Sequence, residues 1–224
     1  IFPKNYNQYD PFKRAIQAKN LNILKVLLKY STSEISRTGD TYIMKSIRIN
    51  QPEAIPILLD AGDDINKIIQ NSNGDYESAL SLSCKSYIKD KEEIVHLIVE
   101  KALILDINND IQAAGAVHWI CESKSPKICK MVLEKGINNI NRFDQKGLPG
   151  PSRITENENN EKDIIEILSI LVDYGYDLNG MAKMQTAQPL LALFCQAIHL
   201  SYNVIDWLLK NGADPFVRNN AGQT

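Results

Sequence analysis

The chain of 224 residues is 44% hydrophobic and 23% charged, with a formal net charge of −2, values ordinary for one or two soluble globular domains. Basic and acidic residues are interspersed rather than clustered, which argues against a nucleic-acid footprint, and no apolar run of about 18 residues exists to span a membrane. Four scattered cysteines, Cys84, Cys121, Cys129 and Cys195, read as buried free thiols in a reducing compartment and not as a disulfide framework. The chain opens on Ile1 without a signal-peptide pattern, so it is read as a fragment of a longer polypeptide.

An apolar triplet recurs along the sequence. Val26-Leu27-Leu28 is followed by Ile57-Leu58-Leu59, Leu97-Ile98-Val99, Met131-Val132-Leu133, Ile170-Leu171-Val172 and Trp207-Leu208-Leu209, roughly 31 to 40 residues apart, close to the period of a helix-turn-helix repeat. Each triplet ends a segment with apolar residues at i, i+3 and i+4, as in "NILKVLLKY" and "EAIPILLDA". Such helices are too short to persist alone and need neighbours. Gly62, Gly136, Gly175 and Gly212 then stand where a helix end favours a left-handed residue. Asp64, Asn138, Asp177 and Asp214 follow, with short polar side chains that shape turns.

Taken in order, Asp10-Pro11-Phe12-Lys13 opens a first helix with Pro11 at its first position. Thr41 caps a helix over about Tyr42 to Ile49, Asn50 holds a left-handed turn, and a second helix runs from about Pro52 to Ala61. Ser78-Ala79-Leu80-Ser81 opens a third unit, which carries an insertion, "KSYIKDKEE", and an altered turn, "EKALILDIN". Gly115-Ala116-Val117-His118 opens the fourth. In the fifth, "KGLPGPSRITENENNEKD" is too rich in Gly, Pro and Asn for a normal first helix. A shortened helix and a mobile loop over about Thr155 to Lys162 are expected there. Gln188-Pro189-Leu190-Leu191 opens the sixth, again with Pro at the first helical position, and Trp207 is expected in the core.

These segments resemble ankyrin repeats, whose pattern is approximately G-x-T-P-L-H-x-A-A-x-x-G-x-x-x-I-V-x-L-L-L-x-x-G-A-D-x-N. The tail "LLKNGADPFVRNNAGQT" is most similar: Gly212-Ala213-Asp214, then Gly222 and Thr224 opening a further unit. No slot keeps an intact Thr-Pro-Leu-His. The resemblance covers nearly the whole chain as a single array of about six units, at 9–38, 39–72, 73–112, 113–144, 145–183 and 184–220, with a new one starting at 221–224. It implies an all-α fold, an ankyrin-repeat solenoid of stacked helix-turn-helix units with short hairpin-like loops. It further implies a non-catalytic scaffold or adaptor that needs no cofactor and binds a protein or peptide on its concave face and loop tips. The alternative is a partner-recruiting segment of a larger enzyme or channel, or of a bacterial effector. The expected setting is intracellular, cytoplasmic or cytoskeleton-associated, within a larger polypeptide or complex, with no nucleic-acid partner and no membrane insertion.

Chemistry-bearing residues are few. His118, Cys121 and Cys129 offer at most three zinc ligands, whereas a structural site wants four. The resemblance instead implies that His118 bonds a neighbouring loop, and Cys121 fits a small-residue slot. His96 and His199 have no nucleophile signature nearby. "DAGDD" and "ENENNEKD" lack the spacing of a calcium loop, and no phosphate-binding glycine loop appears. No catalytic or metal-binding residue is assigned. Asn66 and Asn179, ending "DIN" and "DLN", resemble sites that asparaginyl hydroxylases modify. By the resemblance, the binding positions on first helices are Arg14, Gln17, Lys45, Arg48, Ile49, Trp119, Glu122, Ser123 and Gln196. Those at hairpin tips are Lys67, Ile68, Ile69, Arg142, Phe143, Phe216 and Arg218. Trp119 is the favoured hot spot, because aromatic and Arg side chains dominate interface energetics.

Overall fold

A computed structural model describes residues 10–30, 39–70, 76–85, 87–101, 115–144, 146–155, 160–184, 187–197 and 202–223. They fall into two compact units, Ile1–Ser83 with Tyr87–Leu105, and Cys84–Ser86 with Asp106–Thr224.

The first unit consists of paired short helices. α1 (Pro11–Gln17) pairs with α2 (Leu21–Lys29), α3 (Tyr42–Arg48) with α4 (Ala54–Asp60), and α5 (Ala79–Ser83) with α6 (Lys91–Lys101). α1 packs on α3, α3 on α5, and α4 on α6, so each pair leans on the next. A two-stranded antiparallel ladder, β1 (Ile69–Gln70) with β2 (Tyr76–Glu77), precedes α5. α3 is apolar on most sides and buries Tyr42, Ile43, Met44, Ser46 and Ile47, while α4 buries a stripe of Ala54, Ile55 and Leu58.

Local chemistry sets the helix ends. Thr41 Oγ1 accepts the Met44 amide at 3.1 Å, and Asp10 Oδ1 accepts those of Phe12 and Lys13 at 3.0 and 3.2 Å, with Pro11 at the first helical position as expected. Asn50 takes the expected left-handed turn at φ 54°. Lys19, Asp90 and Lys124 do the same at φ 55°, 48° and 55°. α4 starts at Ala54 rather than at about Pro52. Lys91 to Glu93, the end of the "KSYIKDKEE" insertion, belong to α6. "EKALILDIN" lies outside the described residues after Lys101.

Gly62 closes α4 at φ 83°. Its amide donates to Leu59 O at 2.9 Å and the Asp63 amide to Leu58 O at 3.0 Å, the paired closure of a left-handed helix end. Asp63 is buried and accepts the Ile43 amide at 2.7 Å, so the turn after α4 caps the start of α3; burial pushes its carboxyl pKa up. A Cβ added at Gly62 meets nothing within 4 Å. Gly62→Val is therefore expected to destabilise by about 1–2 kcal/mol through backbone strain alone. Urea denaturation checks this, and an unshifted midpoint would contradict the turn's role.

The second unit holds α7 (Ala116–Ser123), α8 (Pro126–Leu133), a 3-10 helix (Gly150–Thr155), α9 (Glu161–Asp173), α10 (Leu190–Gln196) and α11 (Tyr202–Lys210). The 3-10 helix is the shortened first helix expected of the fifth unit, and it packs on α7 and α10. The expected loop to Lys162 ends earlier, because Asn160 Oδ1 accepts the Lys162 amide at 3.2 Å and α9 begins at Glu161. Residues 156–159 lie outside the described residues. Pro189 is the extended cap of α10, one residue before the helix. Trp207 is half-buried, not core as expected: α11 turns Val204 and Leu208 inward, and Trp207 lies on the flank of that stripe.

Candidate interaction surface

In each unit the helix faces left over after packing carry the assigned positions. Within the first unit, α1 leaves Arg14 and Gln17 exposed, and α3 leaves Lys45 half-buried and Arg48 open. Within the second, α7 buries Ala116, Val117, His118, Ile120, Cys121 and Ser123 and leaves Trp119 and Glu122 half-buried. Gln196 is exposed at the end of α10. Ser123 is a correction. It is fully buried, with its hydroxyl donating to Ile120 O, because the position falls on the packed side of α7.

Sequence alone missed Lys85. It stands four residues after Ser81, the offset that also separates Arg48 from Met44 and Glu122 from His118. Its ammonium lies 3.1 Å from Glu122 Oε1 and 3.2 Å from Oε2.

Arg48 holds its neighbours in place as well as lining the surface. Its Nε donates to Asp40 Oδ2 at 3.1 Å and its Nη2 to Asp40 Oδ1 at 3.3 Å, and Nη2 also reaches Glu77 on β2. Partial burial works against the charged guanidinium, but the bonds to Asp40 and Glu77 outweigh it and the pKa is raised. The Glu77 side chain is only 7% exposed. Removing Arg48 therefore unsettles a buried carboxylate, so Arg48→Ala does not probe partner contact alone.

α1, α3 and the Gly39–Asp40 turn enclose a cleft of about 240 Å³. Gln17, Lys45, Arg48 and Ile49 line it together with Lys13, Ile16, Gly39 and Asp40; Arg14 does not. Lys13 lies four residues before Gln17, one helical turn away on α1, which is the signal that placed it there.

The hairpin positions differ among themselves. Lys67 and Ile68 are half-buried, and Ile69 belongs to β1, paired with Glu77, rather than to a tip. Arg142 and Phe143 are half-buried, with Phe143 bridging to Pro149. Phe216 is 77% exposed, and Arg218 is exposed with Nη1 donating to Gly222 O at 3.2 Å.

Asn179 is exposed, yet its amide is engaged at both ends. Nδ2 donates to Gly212 O at 2.8 Å, and Oδ1 accepts the Asp214 amide at 2.8 Å. Asn141 repeats this with Gly175 O and the Asp177 amide, at 3.2 and 2.7 Å. The sequence pattern overlooked Asn141 because it stands five residues after its glycine, whereas Asn179 stands four after Gly175. Phe216, four residues after Gly212, takes the same position without a side chain able to bridge. Asn66 is half-buried, and its backbone N–H donates to Asp64 Oδ1 at 2.9 Å.

His118 bonds a loop, as the resemblance implies. Nε2 lies 3.1 Å from Leu148 O, which can only accept, so Nε2 carries the proton and the buried Nδ1 is a bare lone pair without a partner. Burial pushes its pKa below the ordinary 6.5. The unfolded chain therefore takes up this proton first. The stability due to neutral His118 is present above pH 6.5 and is lost as pH falls below it toward the folded pKa. Thermal midpoints are expected to drop between about pH 7 and 5, and His118→Gln, which can still donate to Leu148 O, should flatten that slope. An unaltered slope would remove His118 as its source. Cys121 and Cys129 are buried thiols whose pKa values burial raises, that of Cys129 to about 12, so neither is a poised nucleophile. His96 is exposed, with Nε2 3.1 Å from Glu100 on α6, and His199 lies outside the described residues.

No family model matches the sequence, and no curated protein matches it. Solved structures do match its fold. The ankyrin repeat domain of Bcl-3, a member of the IkappaB protein family, superposes with a TM-score of 0.70 at 17% identity, covering 96% of this chain and 91% of that one. The human ASB11 ankyrin repeat domain gives 0.69 at 16% identity, over 96% and 89%. An ankyrin repeat domain from Acinetobacter baumannii AYE gives 0.72 at 18% identity, over 93% and 100%. The chain has the ankyrin-repeat fold, an arrangement of stacked helix-turn-helix units. At these identities the likeness is one of fold.

Proposed function

We propose that this chain is a non-catalytic docking module that holds a protein or peptide on the side chains its packed helices leave over. One observation carries the reading. Within the first unit α3 buries most of its residues but leaves Lys45 half-buried and Arg48 exposed, and within the second α7 likewise leaves Trp119 and Glu122 half-buried. A rigid, preformed face of this kind lowers the ordering cost of association. The partner is a protein rather than a nucleic acid, and the setting is intracellular. Cys84, Cys121 and Cys129 are buried and form no disulfide, which fits a reducing compartment, whereas Cys195, expected to be buried with them, is exposed.

Pull-down from extract of the source cells, with crosslinking mass spectrometry, tests this. Crosslinks are expected from Lys45 or Lys67, and Trp119→Ala should weaken capture of the partner so identified by about tenfold or more. If Trp119→Ala unfolds the unit, Trp119 belongs to the core; if capture is unchanged, the α7 face is not the docking face. Asn66 and Asn179 are proposed as hydroxylation acceptors. The reading fails if mass spectrometry of the natively expressed chain finds neither peptide heavier by one oxygen.

A further inference from the structure

We infer that α2 and α11 carry complementary halves of one packing interface, and that one copy of this chain seats its α11 on the α2 of another, head to tail. This goes beyond the docking reading and does not depend on it.

The second helices can be compared position by position from the central residue of each apolar triplet. Within the first unit α6 packs on α4, and within the second α9 packs on α8 and α11 on α9. Four residues before the centre, these three following helices hold Ile94, Ile167 and Val204, which are 0%, 1% and 0% exposed. The same position in α2 is Ile23, and it is 51% exposed. The central residues behave alike. Ile98, Leu171 and Leu208 are fully buried, whereas Leu27 is half-buried. This ridge is therefore what a second helix turns toward the one before it, and on α2 it is open.

Three residues before the centre the order reverses. Ile55 in α4, Cys129 in α8 and Leu168 in α9 each have a second helix packed after them, and all are 0% exposed. The same position in α11, the last described helix, is Ile205, which is half-buried. Leu209, one turn further along that ridge, is 44% exposed. This second ridge faces the helix that follows, and on α11 it is open.

The two open ridges match the two sides of a contact that α4 makes with α6, α8 with α9, and α9 with α11. α11 presents the side that receives a following helix, and α2 presents the side that meets a preceding one. Neither ridge is complementary to itself, so the contact is heterologous rather than two-fold symmetric. A second copy of the chain brings the required ridge with it, and burying Ile23 and Leu27 against Ile205 and Leu209 removes apolar surface from water.

Sedimentation velocity of the full chain over a concentration series up to about 0.5 mM tests this. The weight-average mass is expected to rise with concentration, at high as well as low salt, because the contact is apolar. Ile23→Glu and Ile205→Glu should each weaken association by about tenfold or more. Asn22→Glu should change it by less than about twofold, since that position is exposed again as Glu93 in α6 and Glu166 in α9. An equimolar mixture of Ile23→Glu and Ile205→Glu keeps one intact α11 ridge and one intact α2 ridge. It should recover association and stop at dimers. Thermal midpoints check that the variants fold, and Leu209→Glu, at an exposed site on the same ridge, replaces Ile205→Glu if that variant unfolds. A mass that stays at that of a single chain throughout the series would overturn the assignment. So would association lost in Ile23→Glu but kept in the α11 variants, which would mark a symmetric pairing of α2 faces, or a mixture that fails to recover.

Discussion

Leu58→Ala is expected to lower the unfolding free energy by about 3 kcal/mol, whereas Leu59→Ala should cost less than about 1 kcal/mol. The two leucines are neighbours in one apolar triplet, but Leu58 is 0% exposed and Leu59 is half-buried. Leu58 shares the buried stripe of α4 with Ala54 and Ile55, and the side of α4 that meets α3 and α6 must fill the space between helix pairs. Truncating it leaves a void that short, mutually braced helices close poorly. Urea denaturation followed by circular dichroism measures both variants. Equal losses would mean that the triplet is buried as a block and that the placement of α4 is wrong.

Gly150→Ala is expected to cost about 1–3 kcal/mol by overpacking. A Cβ at Gly150 would lie 2.9 Å from Val117 Cγ2, 3.0 Å from Cγ1 and 3.2 Å from the Val117 carbonyl carbon. Val117 cannot move aside easily, because its branched side chain has one favoured rotamer in a helix and the third contact is backbone. Gly150 begins the 3-10 helix, so the clash would push that element off α7, against which it packs. The double variant Val117→Ala with Gly150→Ala should recover part of the loss, and a thermodynamic cycle measures the coupling. Strict additivity of the two losses would show that the 3-10 helix seats elsewhere.

The same pair of residues shows where sequence reading reaches and where it stops. The segment "KGLPGPSRI" announces a break in helical pattern, since Pro and Gly disfavour the α-helix interior. That the shortened helix expected there lies against α7 depends on a contact spanning 33 positions, from Val117 to Gly150, which no local signal encodes. Turns were the most legible part. Thr41, Asn50 and Gly62 act through bonds or dihedrals within a few residues, and each does in the structure what its chemistry implies.

The partnerships of the surface residues were not legible. Arg48 is exposed, and Lys45, Trp119 and Glu122 are half-buried. The role of Arg48 depends on Glu77, 29 residues away on a strand, and Glu122 is held by Lys85, 37 residues away. Ser123 and Trp207 went astray for a related reason. Ser123 falls on the packed side of α7, and Trp207 lies beside the buried stripe of Val204 and Leu208 on α11, differences of one position that the repeat pattern alone does not resolve.

The nearest-neighbour packing within each unit carries a kinetic corollary. Among the described residues α1 meets α2 and α3, α3 meets α4 and α5, and α9 meets α8 and α11, so these contacts join helices of the same or the adjoining pair. Low contact order favours rapid folding, and a structure knitted in this way can ravel from one end while the remainder keeps its shape. Limited proteolysis would then yield fragments that stop at the borders between helix pairs, still folded and differing in length by whole repeats.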